Sequence, residues 1–356
     1  MRKLDISELI PGMIVAENIV NFRNDLLYPA GYRLTDKAIT KLTFYSVPFI
    51  CVEDENDYFS YTEMKSYSER VRSTPEFQKF AEEFEKDVYK FKNLLNDVVS
   101  KNTPLDINEL LQDTLALLHN STKNVHIFEM INNMRQYDDS TYAHSINVAL
   151  IANVLASWLG MSEEEIILVT QCGLLHDIGK LQIPDTIIKK PGKLSDAEFN
   201  IVKTHPISGH DLLLKHKLNP HIVNAAMMHH ERCDGSGYPF GLSSEKIDYY
   251  AKIIAISDVY DAMTSARVYR GAMCPFKVIE IFENEGFPKY ETSILLTFLE
   301  NVLNTYIQSR VRLSDGSECE VIMLNKHRLS RPLLRSGSGY IDLSKEPAAL
   351  YIEEIL

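Results

Sequence analysis

From Thr74 to Val98 apolar residues return at every third or fourth position: Phe77, Phe80, Phe84, Val88, Phe91, Leu94 or Leu95, and Val98. That period matches one face of an α-helix, with Thr74 where an N-cap belongs and Pro75 at the first helical position. The stripe either packs against the main body of the chain or forms a dimer seam over residues 75–99. Thr103-Pro104 restarts a helix, and most segments from there to about residue 310 read as helical. "INVALIANVLASWLG" ends at Gly160, and "SEEEIILVTQCGLLHDIGK" opens with Ser162 and Glu165 in capping-box spacing. Outside this stretch the period changes. Residues 1–58 alternate short apolar runs ("GMIVAENIV", "LLYPAGYRLT", "VPFICV") with turn signals, and Thr35 is placed to cap a short helix. After residue 310, "VRLSDGSECEVIML" sets Asp315-Gly316 between two apolar runs, a strong hairpin signal. The pattern predicts a mainly α protein with four parts: a small α+β N-terminal domain (1–60) suited to regulation, linker helices (61–128), an all-α domain (129–310) and a small β appendage (311–356).

Composition narrows the class of partner. The chain has 356 residues, more than one domain usually holds, and a formal net charge of -12 from 37 Lys+Arg against 49 Asp+Glu. That balance argues against a nucleic-acid polymer or an anionic membrane as partner, so an anionic ligand must be met by local cations. No apolar run approaches the ~18 residues of a membrane-spanning helix, and "MRKLDISELI" turns acidic where a signal peptide would be apolar. The expectation is a cytoplasmic protein without membrane insertion. Five cysteines, odd in number and in no CxxC pair, indicate neither a disulfide framework nor a thiolate zinc site.

The candidate chemistry lies in histidines. His144 stands in "TYAHSINVA", His176 in "LLHDIGK", His205 in "VKTHPISG", and His229-His230 in "MMHHERCDGSGYP". Two aspartates accompany them: Asp177 beside His176, and Asp258 in "ISDVYDAM", after a run that reads as strand or helix. Asp177 follows the apolar run "IILVTQCGLL", where a carboxylate is costly to bury unless it is paired or bound to a cation. Imidazole and carboxylate together suit divalent metals, and seven such ligands exceed what one ion holds, which implies two. Lys180, three residues beyond Asp177, is close enough on the same face to reach a phosphate oxygen. In "GSGYP" the glycines permit positive φ and close backbone approach, and Tyr238 and Pro239 can wall a site or stack on a base.

Five stretches, in order, carry a family resemblance: "YDDSTYAHSINVA", "LLHDIGKLQIPDTIIKKPGKLSDAEF", "THPISGHDLL", "MMHHERCDGSGYP" and "IIAISDVYDAMTSARVYR". Over about residues 130–310 the chain resembles the HD-GYP family, the branch of the HD-superfamily phosphohydrolases that cleaves cyclic di-GMP. The "PGM" and "PAG" turns and the C-terminal hairpin also resemble pieces attached to such domains. The resemblance implies an HD-type helical catalytic domain in which His144, His176, Asp177 and Asp258 bind one metal. His205, His229 and His230 bind the second, with Asp177 bridging and iron or manganese as the ions. It further implies a metal-bridging hydroxide that opens cyclic di-GMP to pGpG, or goes on to GMP. Lys180, Arg267 and Arg270 are implied as phosphate contacts, Asp261 as a partner of Arg267 or of a guanine edge, and Gly237, Tyr238 and Pro239 as substrate-binding loop. Some relatives hold a third metal with a glutamate where this chain has Ser140, so a two-metal site is expected. Two other readings stay open. One is a cyclic dinucleotide sensor with little turnover, signalling through the Phe77–Val98 helix. The other is an HD-type phosphohydrolase acting on another substrate, such as cyclic GMP-AMP or a nucleoside monophosphate.

Overall fold

The computed structural model describes residues 2–6, 9–10, 12–20, 26–34, 38–39, 42, 47, 49–53, 71–101, 103–120, 127–128, 130–131, 134, 141–190, 192–265, 273–337 and 339–356. Thr35, Ser140, Arg267 and Arg270 lie outside them. The chain divides into two compact units, one from residues 1–70, 307–325 and 331–356, the other from 71–306 and 326–330.

The second unit is helical. Helix α1 (Pro75–Lys101) starts where the Thr74 hydroxyl accepts the Phe77 N–H at 3.2 Å. Its stripe of Phe77, Phe80, Phe84, Val88, Phe91, Leu95 and Val98 is buried within the chain, against α2 (Ile107–Asn120) and α3 (Thr141–Trp158). Of the two expected roles of the stripe, packing against the main body of the chain is thus the one seen. Helix α2 begins three residues after Pro104 because the Asp106 carboxylate accepts the Asn108 and Glu109 N–H groups. In α3 every residue from Ser145 to Ala156 is buried, so this helix runs through the centre with no polar face. It packs on α4 (Glu163–Leu175), whose predicted capping box forms in both directions. A 3-10 turn (Ile178–Gln182) follows, then α5 (Asp185–Ile188), α6 (Asp196–Val202), α7 (His205–Leu214), α8 (Pro220–Met228), α9 (Tyr249–Thr264), α10 (Pro275–Lys289) and α11 (Thr292–Asn304). The run before Asp258, ambiguous between strand and helix, is helical, and α9 packs on α3 and α8.

The first unit holds the sheets. Strands β1 (Arg2–Asp5) and β4 (Phe49–Val52) pair antiparallel, as do β2 (Ile19–Val20) and β3 (Leu26–Tyr28), over a core that includes Val15, Leu34, Ile50 and Val52. A five-stranded antiparallel sheet of β5 (Arg310–Leu313), β6 (Glu318–Met323), β7 (Leu333–Ser336), β8 (Gly339–Asp342) and β9 (Ile352–Ile355) runs in the order β8-β7-β6-β5-β9. Its β5–β6 turn is the Asp315-Gly316 hairpin, with Gly316 at φ +88°. Gly316 also lies against the Tyr32 ring so closely that a Cβ there would sit 1.9 Å from Tyr32 Cδ2. The two ends of the chain, expected as separate pieces, thus group together. Among the described residues no helix is long and apolar enough to cross a membrane.

Candidate metal centre

Five elements of the helical unit aim one or two polar side chains each at a common point. His144 comes from the first turn of α3. His176 is the C-cap of α4, and Asp177 turns the chain into the 3-10 segment that carries Lys180. His205 opens α7 with Pro206 behind it, His229 caps the C-terminus of α8 with His230 next, and Asp258 lies on α9. Close approach of two turns is needed to bring Asp177 to His205. A Cβ at Gly179 would lie 2.0 Å from the His205 carbonyl oxygen and 2.5 Å from Gly209 N. Only glycine fits there.

The seven expected ligands converge. His205, His229 and His230 cluster with Asp177, and His144 and His176 with Asp258, the ligand atoms of each group lying within 4.8 Å of one another. Asp177 serves both. Its Oδ1 is 3.2 Å from His205 Nε2 and 3.6 Å from His229 Nε2. Its Oδ2 is 3.3 Å from His176 Nε2 and 3.6 Å from His144 Nε2. His144 Nε2 also lies 3.1 Å from Asp258 Oδ1, and His230 Nδ1 3.8 Å from Asp258 Oδ2.

The tautomers follow from what stands behind the rings. His176 Nδ1 meets the Gly173 carbonyl at 2.7 Å, His205 Nδ1 the Val202 carbonyl at 2.7 Å, and His229 Nδ1 the Ala226 carbonyl at 3.0 Å. A carbonyl only accepts, so each Nδ1 donates and each neutral Nε2 directs a lone pair inward. His205 Nε2 and His229 Nε2 then face each other at 3.2 Å, lone pair against lone pair, unless positive charge lies between them. His176 Nε2 and Asp177 Oδ1 are moreover buried without a hydrogen-bond partner, a costly state in the absence of a cation. Anchoring the far nitrogen on a carbonyl or carboxylate is also the arrangement that orients metal-ligating histidines. The donor set therefore fits two divalent ions.

Electrostatics agree. Burial, helped by the neighbouring His176 and His205, pushes His229 down to about 4, and burial beside His229 holds His230 well below the usual imidazole value. Both are thus neutral, the form that ligates. Burial opposes ionisation of Asp177 and Asp258, but Lys180 and His176 outweigh it for the first and His144 for the second, leaving both carboxylates well below the usual range. Burial also acts to lower His144, yet its bonds to Asp258 and Asp261 win and raise it to about 10. The pull of these two carboxylates on His144 marks a place for positive charge at its Nε2, and the Lys180 ammonium, 2.5 Å from Asp177 Oδ2, supplies positive charge where the carboxylates face.

Among the residues expected to meet substrate, Asp261 is buried behind His144, whose Nδ1 donates to its Oδ2 at 2.7 Å. Lys180 lies on the open side of Asp177, its side chain 24% exposed. Tyr238 stacks on His230 with ring centroids 4.6 Å apart. The loop's glycines have distinct uses. Gly235 sits at φ +79°, and a Cβ at Gly237 would lie 2.4 Å from Arg232 N and from Glu231 Cα. Sequence reasoning missed Glu231. It is buried, and its two carboxylate oxygens accept the Phe240 N–H at 2.7 Å and the Leu242 N–H at 2.9 Å, clamping the loop that bears Tyr238 and Pro239. The available signal was an acid placed between a ligand pair and a glycine-rich loop full of unpaired amides.

Residues 108–294 match the model of the HD domain family. Over 184 residues, 51% of this chain, it is 44% identical to the cyclic di-GMP phosphodiesterase PA4108 of Pseudomonas aeruginosa, covering 44% of that protein. Identity is also 44% over 137 residues to the cyclic di-GMP phosphodiesterase response regulator RpfG of Xanthomonas campestris, covering 38% of this chain and 36% of that one. The 3'3'-cGAMP-specific phosphodiesterase 1 of Vibrio cholerae is 41% identical over 145 residues, 41% of this chain and 34% of its own length. The chain therefore spans less than half the length of these relatives.

Proposed function

The chain belongs to the HD domain family, in its HD-GYP branch, and from that premise we propose that it is a metal-dependent phosphodiesterase that opens cyclic di-GMP to linear pGpG. What carries the reading is Asp177, whose two oxygens face two histidine groups at once. His144, His176 and Asp258 with Asp177 Oδ2 would hold one ion, and His205, His229 and His230 with Asp177 Oδ1 the other. Iron or manganese is the proposed pair, and the cytoplasm, where five free cysteines are stable, the proposed compartment. When bound, such ions supply Lewis acidity toward a phosphodiester and lower the pKa of water.

The chain's own residues set where the substrate meets that chemistry. His176, His205, His229 and Asp177 form a floor with side chains at most 1% exposed, whereas His144, His230 and Lys180 form a rim at 17%, 16% and 24%. The substrate phosphodiester enters from that rim. There the Lys180 ammonium can turn from Asp177 to a phosphate oxygen, as a point charge with rotatable donors. Arg267 and Arg270 belong to the proposal as further phosphate contacts. Asp261 holds the His144 ring, and the Gly237-Tyr238-Pro239 loop, clamped by Glu231, walls the ligand in.

The test is anaerobically purified protein incubated with cyclic di-GMP and, separately, 3'3'-cGAMP, with metal analysis and product identification on the same sample. About two metal equivalents and pGpG are expected, and Asp177→Asn should lose both metal and turnover. Full turnover by that variant, or none by protein that carries both ions, would refute the reading. Faster cleavage of 3'3'-cGAMP would move the substrate assignment to that dinucleotide.

A further inference from the structure

We propose that Lys203 is a further substrate-binding residue: its ammonium, set over the rings of Phe199 and Tyr238, takes the phosphodiester of the cyclic dinucleotide that is not being cleaved. The inference rests on the phosphodiesterase reading above and adds a charge that none of the five motif histidines or their partners supplies.

The placement starts in α6. Ser195 and Glu198 form a reciprocal capping box at its N-terminus, which fixes the register of this two-turn helix. Phe199 and Lys203 then fall four residues apart, on one face. Lys203 Nζ lies 4.9 Å from the Phe199 ring centroid and 5.7 Å from that of Tyr238. Tyr238 in turn stacks on the ligand imidazole of His230 at 4.6 Å. Two residues beyond Lys203 the chain supplies His205. The ammonium is therefore tied from two directions to the ligand cluster, near enough for one small dinucleotide to touch both.

What is unusual is the company this lysine keeps. Lys190 takes both oxygens of Glu198, at 2.8 and 2.7 Å, and among the described residues no carboxylate pairs with Lys203. In a chain of net charge -12, a half-buried lysine without an acidic partner is open to an anion. Aromatic faces attract a cation by about 0.5–1 kcal/mol at exposed sites but leave its charge unneutralised. A lysine at the end of a helix also complements the helix dipole. That role draws the ammonium toward the last carbonyls, whereas this one lies over two rings from different elements. Phe199 itself is 47% exposed, a large ring left at the surface beside the rim. The substrate carries two phosphodiesters into an acidic protein. One meets the metal ligands and Lys180, and among the described residues Lys203 is the cation placed beside the Tyr238 wall to meet the other, in addition to the contacts proposed for Arg267 and Arg270.

The test compares wild type, Lys203→Gln and Lys203→Arg as full-length, metal-loaded enzyme, on cyclic di-GMP and on bis(4-nitrophenyl) phosphate, which has a single phosphodiester. A hydrogen bond to a charged group contributes about 1.5–3 kcal/mol, and 1.4 kcal/mol is tenfold. Lys203→Gln is therefore expected to raise KM for cyclic di-GMP about tenfold with a much smaller change in kcat. The ratio of kcat/KM for cyclic di-GMP to that for the single diester should fall by the same factor. KM should rise less steeply with added salt than in wild type, and Lys203→Arg should restore most of the loss. An unchanged KM, or an equal fall for both substrates as a merely structural lysine would produce, overturns the inference. A wild type that cleaves cyclic di-GMP alongside an indistinguishable Lys203→Gln overturns this inference alone. A wild type that cleaves the single diester but not cyclic di-GMP overturns the substrate assignment and this inference with it.

Discussion

Asp87 should make the α1–α2 seam weaken as pH rises. It lies on the buried stripe of α1 among phenylalanines, 4% exposed, with Oδ2 2.9 Å from Thr114 Oγ1 on α2. Burial raises its pKa from 3.8 to about 7, the Thr114 bond and Lys90 pulling down and Asp113 pushing up. When protonated, the carboxyl can donate to Thr114 Oγ1 while the threonine hydroxyl donates to the Leu110 carbonyl, 3.3 Å away, so every proton has a partner. When ionised, it leaves a charge in an apolar seam. The folded-state pKa is above the unfolded one, so the stabilising contribution is fully present below the unfolded value near 4 and lost as pH climbs through 7. A shift from 3.8 to about 7, at 1.36 kcal/mol per unit, corresponds to about 4 kcal/mol as an upper bound. Asp87→Asn copies the neutral acid at every pH. Urea denaturation of the two proteins from pH 4 to pH 8 is the assay. We expect near-equal stabilities at pH 4, a gap that opens steadily from there, and an asparagine variant more stable by about 2–4 kcal/mol at pH 8. A difference that does not change with pH, or an asparagine variant that is weaker at pH 8, would refute the reasoning.

Two further outcomes follow from the site. Asp261→Asn weakens the grip on His144 Nδ1, so metal affinity or turnover should fall about 10–100-fold; chelator competition that matches wild type would show that Asp261 does not orient the ring. Glu231→Ala strands the Phe240 and Leu242 amides, and at about 1.5–3 kcal/mol per charge-assisted bond hydrogen exchange at those two positions should speed up at least tenfold. KM should rise while metal content holds, and unchanged exchange would mean that the loop keeps its shape without the clamp.

The difference between what the chain announces and what it conceals has a physical origin in the range of each interaction. The α4 capping box, the stripe of α1 and the Asp315-Gly316 turn are set by neighbours within a few residues, so local rules reach them. The ligands were legible for another reason: Asp177 at the end of an apolar run is a charge whose burial demands a partner, whatever the partner turns out to be. Asp261 shows the limit. Its carboxylate meets a histidine 117 residues away, and only the packing of α9 on α3 decides that it sits behind the ring rather than in front of it. Glu231 was missed for the same cause, because its carboxylate holds amides 9 and 11 residues further on, in a loop that no periodicity marks. Gly316 extends the point to the fold, since its lack of a Cβ reads as turn chemistry in the sequence and as room for Tyr32 in three dimensions. A costly residue in a sequence thus reports that it needs a partner, and the tertiary packing alone supplies which one, so the residues that tune this site belong to contacts that local pattern does not encode.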